Sequence, residues 1–228
     1  MPPKRKTTST TSQAKRQKPA AKKTNVKAKA QQDGQVMFAK ACEGWFNKYK
    51  DEDEDIISPE GCQAFFNDLG VSLESIHPII IGWKLNASRM GYFTRQEWMQ
   101  GMTSLKVNSP EMLKALLPQL ETAIKDPNLF KKLYLFTFGF AKTTGQKSME
   151  VDVAIALWQL LLEPLSYPHI QSFIRFLQEE KPVKVINKDQ WNSLLDFCRS
   201  VPEDLNNYDS TSSWPVLLDE YVEWRARA

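Results

Sequence analysis

The chain has 228 residues, 42% hydrophobic and 25% charged, which suits one or two domains with proper cores and excludes a collagen-like or wholly low-complexity protein. Its three cysteines, Cys42, Cys62 and Cys198, close no disulfide framework and fit a reducing intracellular compartment. Two histidines and three scattered cysteines cannot assemble a zinc finger or RING, and no apolar run reaches the roughly 18 residues that span a membrane. No secretory leader is expected, and Pro2 stands where N-myristoylation needs glycine.

The net charge of +3 hides a division: ten of the 30 basic residues lie within residues 1–30, where there is no acid, leaving 20 basic against 27 acidic residues in the rest. The first segment is rich in Thr, Ser, Gln and Ala and has no aromatic residue, so it lacks the apolar surface to offset its ordering entropy. Residues 1–34 therefore read as a disordered basic tail and residues 35–228 as a single acidic domain. The clusters Lys4, Arg5, Lys6 and Lys15, Arg16, Lys18 look like a nuclear localisation signal. They imply the nucleus, with the cytoplasm as a second location. Such a tail could touch phosphates only non-specifically, so no nucleic-acid partner is expected.

Apolar residues recur at helical spacing through the domain, and period-two alternation is scarce. The spacing predicts helices over 36–49, 59–69, 75–85, 95–104, 110–125, 129–141, 150–162, 169–179, 188–201 and 215–225. Ser58-Pro59 and Ser109-Pro110 read as caps followed by proline in the first turn. Thr94 with Glu97, and Asn187 with Gln190, read as capping boxes.

Two loops resemble decayed EF-hands. With Asn86 at position 1, Gly91 falls at position 6, Phe93 at 8 and Glu97 at 12, but Met90 at position 5 offers a hard cation no oxygen. With Lys50 at position 1, Ile57 falls at position 8, but Lys50 itself would repel a cation and Gly61 replaces the terminal Glu. The acidic run 51–55 is accordingly not read as a calcium site. The expectation is a metal-free EF-hand-like helix–loop–helix pair, with no cofactor.

The segment 75–85 is apolar on two faces. Ile76, Ile79, Ile80 and Trp83 form one stripe, while Pro78, Ile81 and Leu85 gather on the other side. Such a helix is either fully buried or walls a groove. Near the C-terminus, Trp191, Leu194, Leu195 and Cys198 make a buried stripe with Asp189 about opposite, and Asp219 lies off the stripe of Leu217, Leu218, Tyr221 and Val222. Residues 188–228 hold eight acids against four bases, a surface suited to a basic partner.

Four motifs in one order closely resemble the defective in cullin neddylation family. They are Trp83-Lys84 followed by Met90-Gly-Tyr-Phe-Thr-Arg-Gln-Glu-Trp98 and Gly101-Met-Thr-Ser-Leu105; Phe136-Thr-Phe-Gly-Phe-Ala141; Asn187-Lys-Asp-Gln-Trp191; and Asn206-Asn-Tyr-Asp209 with Ser213-Trp-Pro-Val-Leu-Leu-Asp-Glu-Tyr-Val-Glu-Trp224. The resemblance covers about residues 36–226, the potentiating-neddylation domain. It implies an all-α fold with metal-free EF-hand-like pairs. It implies a scaffold-type co-ligase that binds the winged-helix end of a cullin and the neddylation conjugating enzyme, the zinc RING being a separate, cullin-bound protein. It also implies a monomer with no catalytic residue of its own.

Two sites follow from the resemblance. The acidic cullin patch falls on Asp189 and Asp219 with Ser213, where the family usually has Ala. The apolar pocket for the acetylated N-terminal Met of the conjugating enzyme falls on Pro78, Ile81, Leu85, Met90, Phe93, Phe140 and Leu160, with Cys62 at its edge. Met90-Gly91 departs from members with Gln-Cys there and resembles the shorter, nuclear-type members. The alternative is a metal-free EF-hand-like adaptor with an unrelated nuclear partner. A thiol enzyme using Cys62 or Cys198 is disfavoured because neither cysteine has a motif-linked histidine.

Overall fold

The computed structural model describes residues 21–227, with side chains from residue 31; the basic clusters at 4–18 lie outside the described residues. Two units divide between Phe38 and Ala39. In the first, the described residues are helical. The second carries the core.

Among the described residues, ten α-helices run in order: α1 (Ala21–Asn47), α2 (Pro59–Leu69), α3 (His77–Lys84), α4 (Arg95–Leu105), α5 (Pro110–Ala123), α6 (Pro127–Ala141), α7 (Val151–Leu161), α8 (Ile170–Glu180), α9 (Lys188–Ser200) and α10 (Val216–Arg227). The fold is all-α, and each helix overlaps one predicted from the spacing. The largest difference is at the start. α1 begins at Ala21, inside the segment read as disordered, because residues 21–33 are mostly Ala, Lys and Gln, strong helix formers that an argument from apolar burial leaves out. A smaller one is at α6, where Asp126 accepts from Asn128 N and Leu129 N at 3.0 and 2.9 Å and Pro127 takes the first position, starting the helix two residues early.

Four short strands among the described residues went unpredicted because two or three residues carry no periodicity. β1 (Ile56–Ile57) pairs antiparallel with β2 (Phe93–Thr94), setting Ile57 opposite Phe93. β3 (Ser148–Glu150) pairs antiparallel with β4 (Val185–Asn187), setting Met149 opposite Ile186. β2, β3 and β4 run directly into α4, α7 and α9, β1 is separated from α2 by Ser58 alone, and the last residue of β2 and of β4 doubles as the cap. Thr94 and Asn187 are extended and bond the third helical amide through their side chains, and Glu97 and Gln190 return the bond to the cap N–H. Ser58 does not cap α2; its hydroxyl donates to Asp51 at 2.6 Å instead.

Aromatic residues fill two packed regions. Trp45, Phe46, Tyr49, Phe65, Phe93 and Trp98 join α1, α2, β2 and α4, with Trp45 and Trp98 edge-on at 4.9 Å. Tyr134, Trp158 and Trp191 stack across α6, α7 and α9 at 4.6 and 5.3 Å. α3 packs on both α5 and α6, and its Gly82 leaves room for the Phe140 ring.

Glycine makes two close backbone approaches obligatory, and at the first a Cβ on Gly61 would collide with the Tyr49 carbonyl oxygen. A Cβ on Gly101 would stand 2.6 Å from the Leu85 Cα, so α4 and the end of α3 meet backbone to backbone. Gly101→Ala is expected to destabilise the fold by about 2 kcal/mol through overpacking. Gly44→Ala, on an exposed helical position with nothing within 4 Å of the new methyl, should stabilise it by about 0.5–1 kcal/mol. Denaturant unfolding of the two variants checks the opposite signs.

Candidate functional site

The loop between α3 and α4 is closed by one carboxylate. Glu97 Oε1 accepts from Ser88 N at 2.7 Å and Oε2 from Thr94 N at 2.8 Å. Burial pushes its pKa up, but these amide bonds outweigh burial and hold it below the ordinary glutamate value. Both oxygens that a bidentate cation ligand would offer are thus turned to backbone amides. In the companion loop, Asp55 forms a two-pronged pair with Arg95, which also reaches Glu43 and Asn47. Among the described residues, no three His, Cys, Asp or Glu side chains are placed to hold a metal ion.

Beside this loop lies an apolar pocket of about 300 Å³. Cys62, Pro78, Met90, Phe93, Phe140 and Leu160, all singled out from the sequence, line it together. Ile81 and Leu85 do not: both are buried in the core, Leu85 against Gly101. Ile79, assigned from the spacing to the core stripe, does belong to the core and also lines the pocket. Ile76, Ile79, Ile80 and Trp83 pack in or against the core as their stripe predicts. Ile81 and Leu85 lie on the side of Pro78 but are covered by neighbouring side chains, at 0% and 1% exposure.

Pro59, Gln63, Phe66, Leu73, Ser75, Gly91 and Leu157 complete the lining. The i, i+3, i+4, i+7 spacing of Pro59, Cys62, Gln63 and Phe66 was the signal that could have found the α2 wall. The loop is held to the wall by Met90 N, which donates to Phe140 O at 2.8 Å. Met90 is 40% and Leu73 51% exposed at the mouth. Burial pushes the Cys62 thiol up to about 12, so it is an apolar lining group and no nucleophile at neutral pH.

The second candidate site is an acidic corner on α9 and α10, which pack on each other. The capping box of Asn187 fixes the start of α9 and leaves Asp189 exposed in its first turn. Ser213 is exposed on the loop before α10. Asp219, expected to point to water, is half-buried in the first turn of α10, where Tyr208 donates its hydroxyl to Oδ1. Tyr208 and Trp214 both pack edge-on against Phe197 of α9, at 6.1 and 5.4 Å. Asp209 shapes the intervening loop by accepting from Thr211 N at 2.8 Å and from the Thr211 hydroxyl at 2.7 Å. Burial pushes the Cys198 thiol, on the core stripe of α9, up to about 12. None of the described helices is long and apolar enough to cross a membrane.

An all-helical domain with an apolar pocket and an acidic corner has the features of a docking protein. Residues 112–224 match the family model described as Cullin binding. Human DCN1-like protein 4 is 42% identical over 190 residues, covering 83% of this chain and 64% of its own length. Rat DCN1-like protein 5 is 41% identical over 186 residues, covering 82% and 77%, and Drosophila melanogaster DCN1-like protein 4 is 40% identical over 186 residues, covering 81% and 74%. The chain belongs to the DCN1-like family. It spans just under two thirds of the human DCN1-like protein 4.

The Glu97 bonds make a pH prediction. A carboxylate held below its unfolded value contributes stability above that value, near pH 4.3, and loses it as pH falls through the lower folded value. Glu97→Gln should cost about 1–2 kcal/mol at pH 7, with the gap to wild type closing below about pH 4. Urea unfolding across that range checks it.

Proposed function

We propose that this protein is a non-catalytic, scaffold-type co-ligase for cullin neddylation. The acidic corner of Asp189, Ser213 and Asp219 receives the winged-helix end of a cullin. The apolar pocket receives the acetylated N-terminal Met of the neddylation conjugating enzyme. Holding both orients the thioester toward the acceptor lysine and raises its effective concentration, so the chain needs no nucleophile or base. The zinc RING is supplied by a cullin-bound partner, and the protein works as a monomer in the nucleus and also in the cytoplasm. The paired helix–strand–helix units are EF-hand-like and metal-free, a reading supported by the amide bonds to Glu97.

The observation that carries this reading is an exposed Asp189 on α9 and a half-buried Asp219 on α10, two helices that pack on each other, in a chain of the DCN1-like family. The pocket adds the choice of N-terminus. An ammonium entering it would shed water beside apolar side chains, at a cost of several kcal/mol. An acetyl amide needs only its two polar atoms satisfied.

Calorimetric titration against a cullin winged-helix domain tests the first site. Asp189→Lys with Asp219→Lys should abolish binding while circular dichroism stays helical; unchanged affinity would sink the assignment. For the second site, Met90→Asp should weaken an acetylated conjugating-enzyme peptide about tenfold through lost apolar contact. Equal binding of acetylated and free-amine peptides would reject the pocket.

A further inference from the structure

Of the two acids assigned to the cullin site, Asp189 and Asp219, it is Asp219 whose direction a hydrogen bond fixes. Tyr208 donates to its Oδ1, and among the described residues no hydrogen bond is made to Oδ2. The phenol ring is itself held, edge-on to Phe197 of α9 at 6.1 Å, on a loop braced by Tyr208 N donating to Leu205 O at 2.9 Å. Leu205 adopts φ 60°, a left-handed conformation that a leucine keeps only where its surroundings demand it. Asp219 is thereby tied, through one hydroxyl, to the helix that carries Asp189.

We infer that Tyr208 is the positioning residue of the cullin-binding site: its hydroxyl locks the Asp219 carboxylate on one oxygen so that the other faces the partner. The inference rests on the cullin-binding reading and names a residue that reading does not contain. A free aspartate has two soft torsions to lose on meeting a cation, and a locked one has already lost them. A neutral donor also suits this place. Asp209 and Glu223 act on Tyr208 along with Asp219, so a cationic partner in its stead would cancel the field that a basic surface is to meet. Burial first, and then Asp219, holds the phenol above its ordinary range, so it remains a donor at neutral pH.

Tyr208→Phe keeps the ring and removes only the hydroxyl. Calorimetry of the full chain against a cullin winged-helix domain should show about fivefold to tenfold weaker binding, the size of one charge-assisted hydrogen bond's effect on orientation. In the Asp219→Ala background, which leaves the hydroxyl no acceptor, the same change should cost nothing further, because the hydroxyl acts through the carboxylate. Equal losses in both backgrounds would mean that Tyr208 meets the cullin itself or merely supports the loop, and would overturn the inference. So would no loss in either. Proton NMR of the free protein gives a readout that needs no cullin. A slowly exchanging phenolic proton should be resolved downfield, be absent in Tyr208→Phe and move in Asp219→Asn; its absence from wild type also overturns the inference. If the wild-type chain binds no cullin while that proton is present, the cullin reading fails and the Tyr208–Asp219 lock stands as structure alone.

Discussion

The Tyr134 hydroxyl has no water to turn to. It is fully buried between three helices, and a phenol in that position costs free energy unless its bonds are made. It donates to Trp191 O at 2.7 Å and accepts from Trp158 Nε1 at 2.9 Å. The Trp191 indole in turn donates to Tyr134 O at 3.0 Å. The three rings stack within the same space. α6, α7 and α9 are therefore fixed in rotation as well as separation, since a slipped register would strand at least one buried donor at about 1–3 kcal/mol. Burial holds the phenol far above its ordinary range, so the lock does not titrate under physiological conditions.

Both candidate sites hang from that lock. α6 carries Phe140 and α7 carries Leu157 and Leu160 to the apolar pocket. α9 carries Asp189 at its start and Phe197 further on, and Phe197 seats the loop residues Tyr208 and Trp214. The pocket's opposite wall comes from α2 and the loop before α4, where a second device operates. Short strands bring the loops together in pairs, and the residue ending β2 or β4 is already in the extended conformation a helix cap requires. One residue serves the sheet on one side and the helix on the other. That leaves little slack between the strand register and the helix axis.

Periodicity carried the helices because their burial stripes are long, and it failed where the signal is short. The ten helices and both capping boxes were legible in the spacing of apolar residues and in Thr94, Glu97, Asn187 and Gln190. The two-residue strands were not, since pairing there depends on where the loops end up. Of the pocket, Cys62, Pro78, Met90, Phe93, Phe140 and Leu160 were legible through resemblance to a family. Ile81 and Leu85 came from the same resemblance, and no spacing shows that neighbouring side chains cover them completely. Tyr208 lies within a family motif, yet its role was not legible: nothing in its spacing says that its hydroxyl would meet Asp219.

On the proposed reading, two docking sites share one frame, which does something that two sites on flexible arms cannot. Effective concentration depends on the distance between bound groups and on how much that distance wanders. In this chain the pocket and the acidic corner share α6, α7 and α9 as a common frame, and the buried indoles and phenol of that frame lose hydrogen bonds if it flexes. On the proposed reading, the frame is the means of catalysis. A substitution in the Tyr134–Trp158–Trp191 stack would then slow transfer by loosening the frame even if each partner still bound its own site. A substitution at either site would act through occupancy alone.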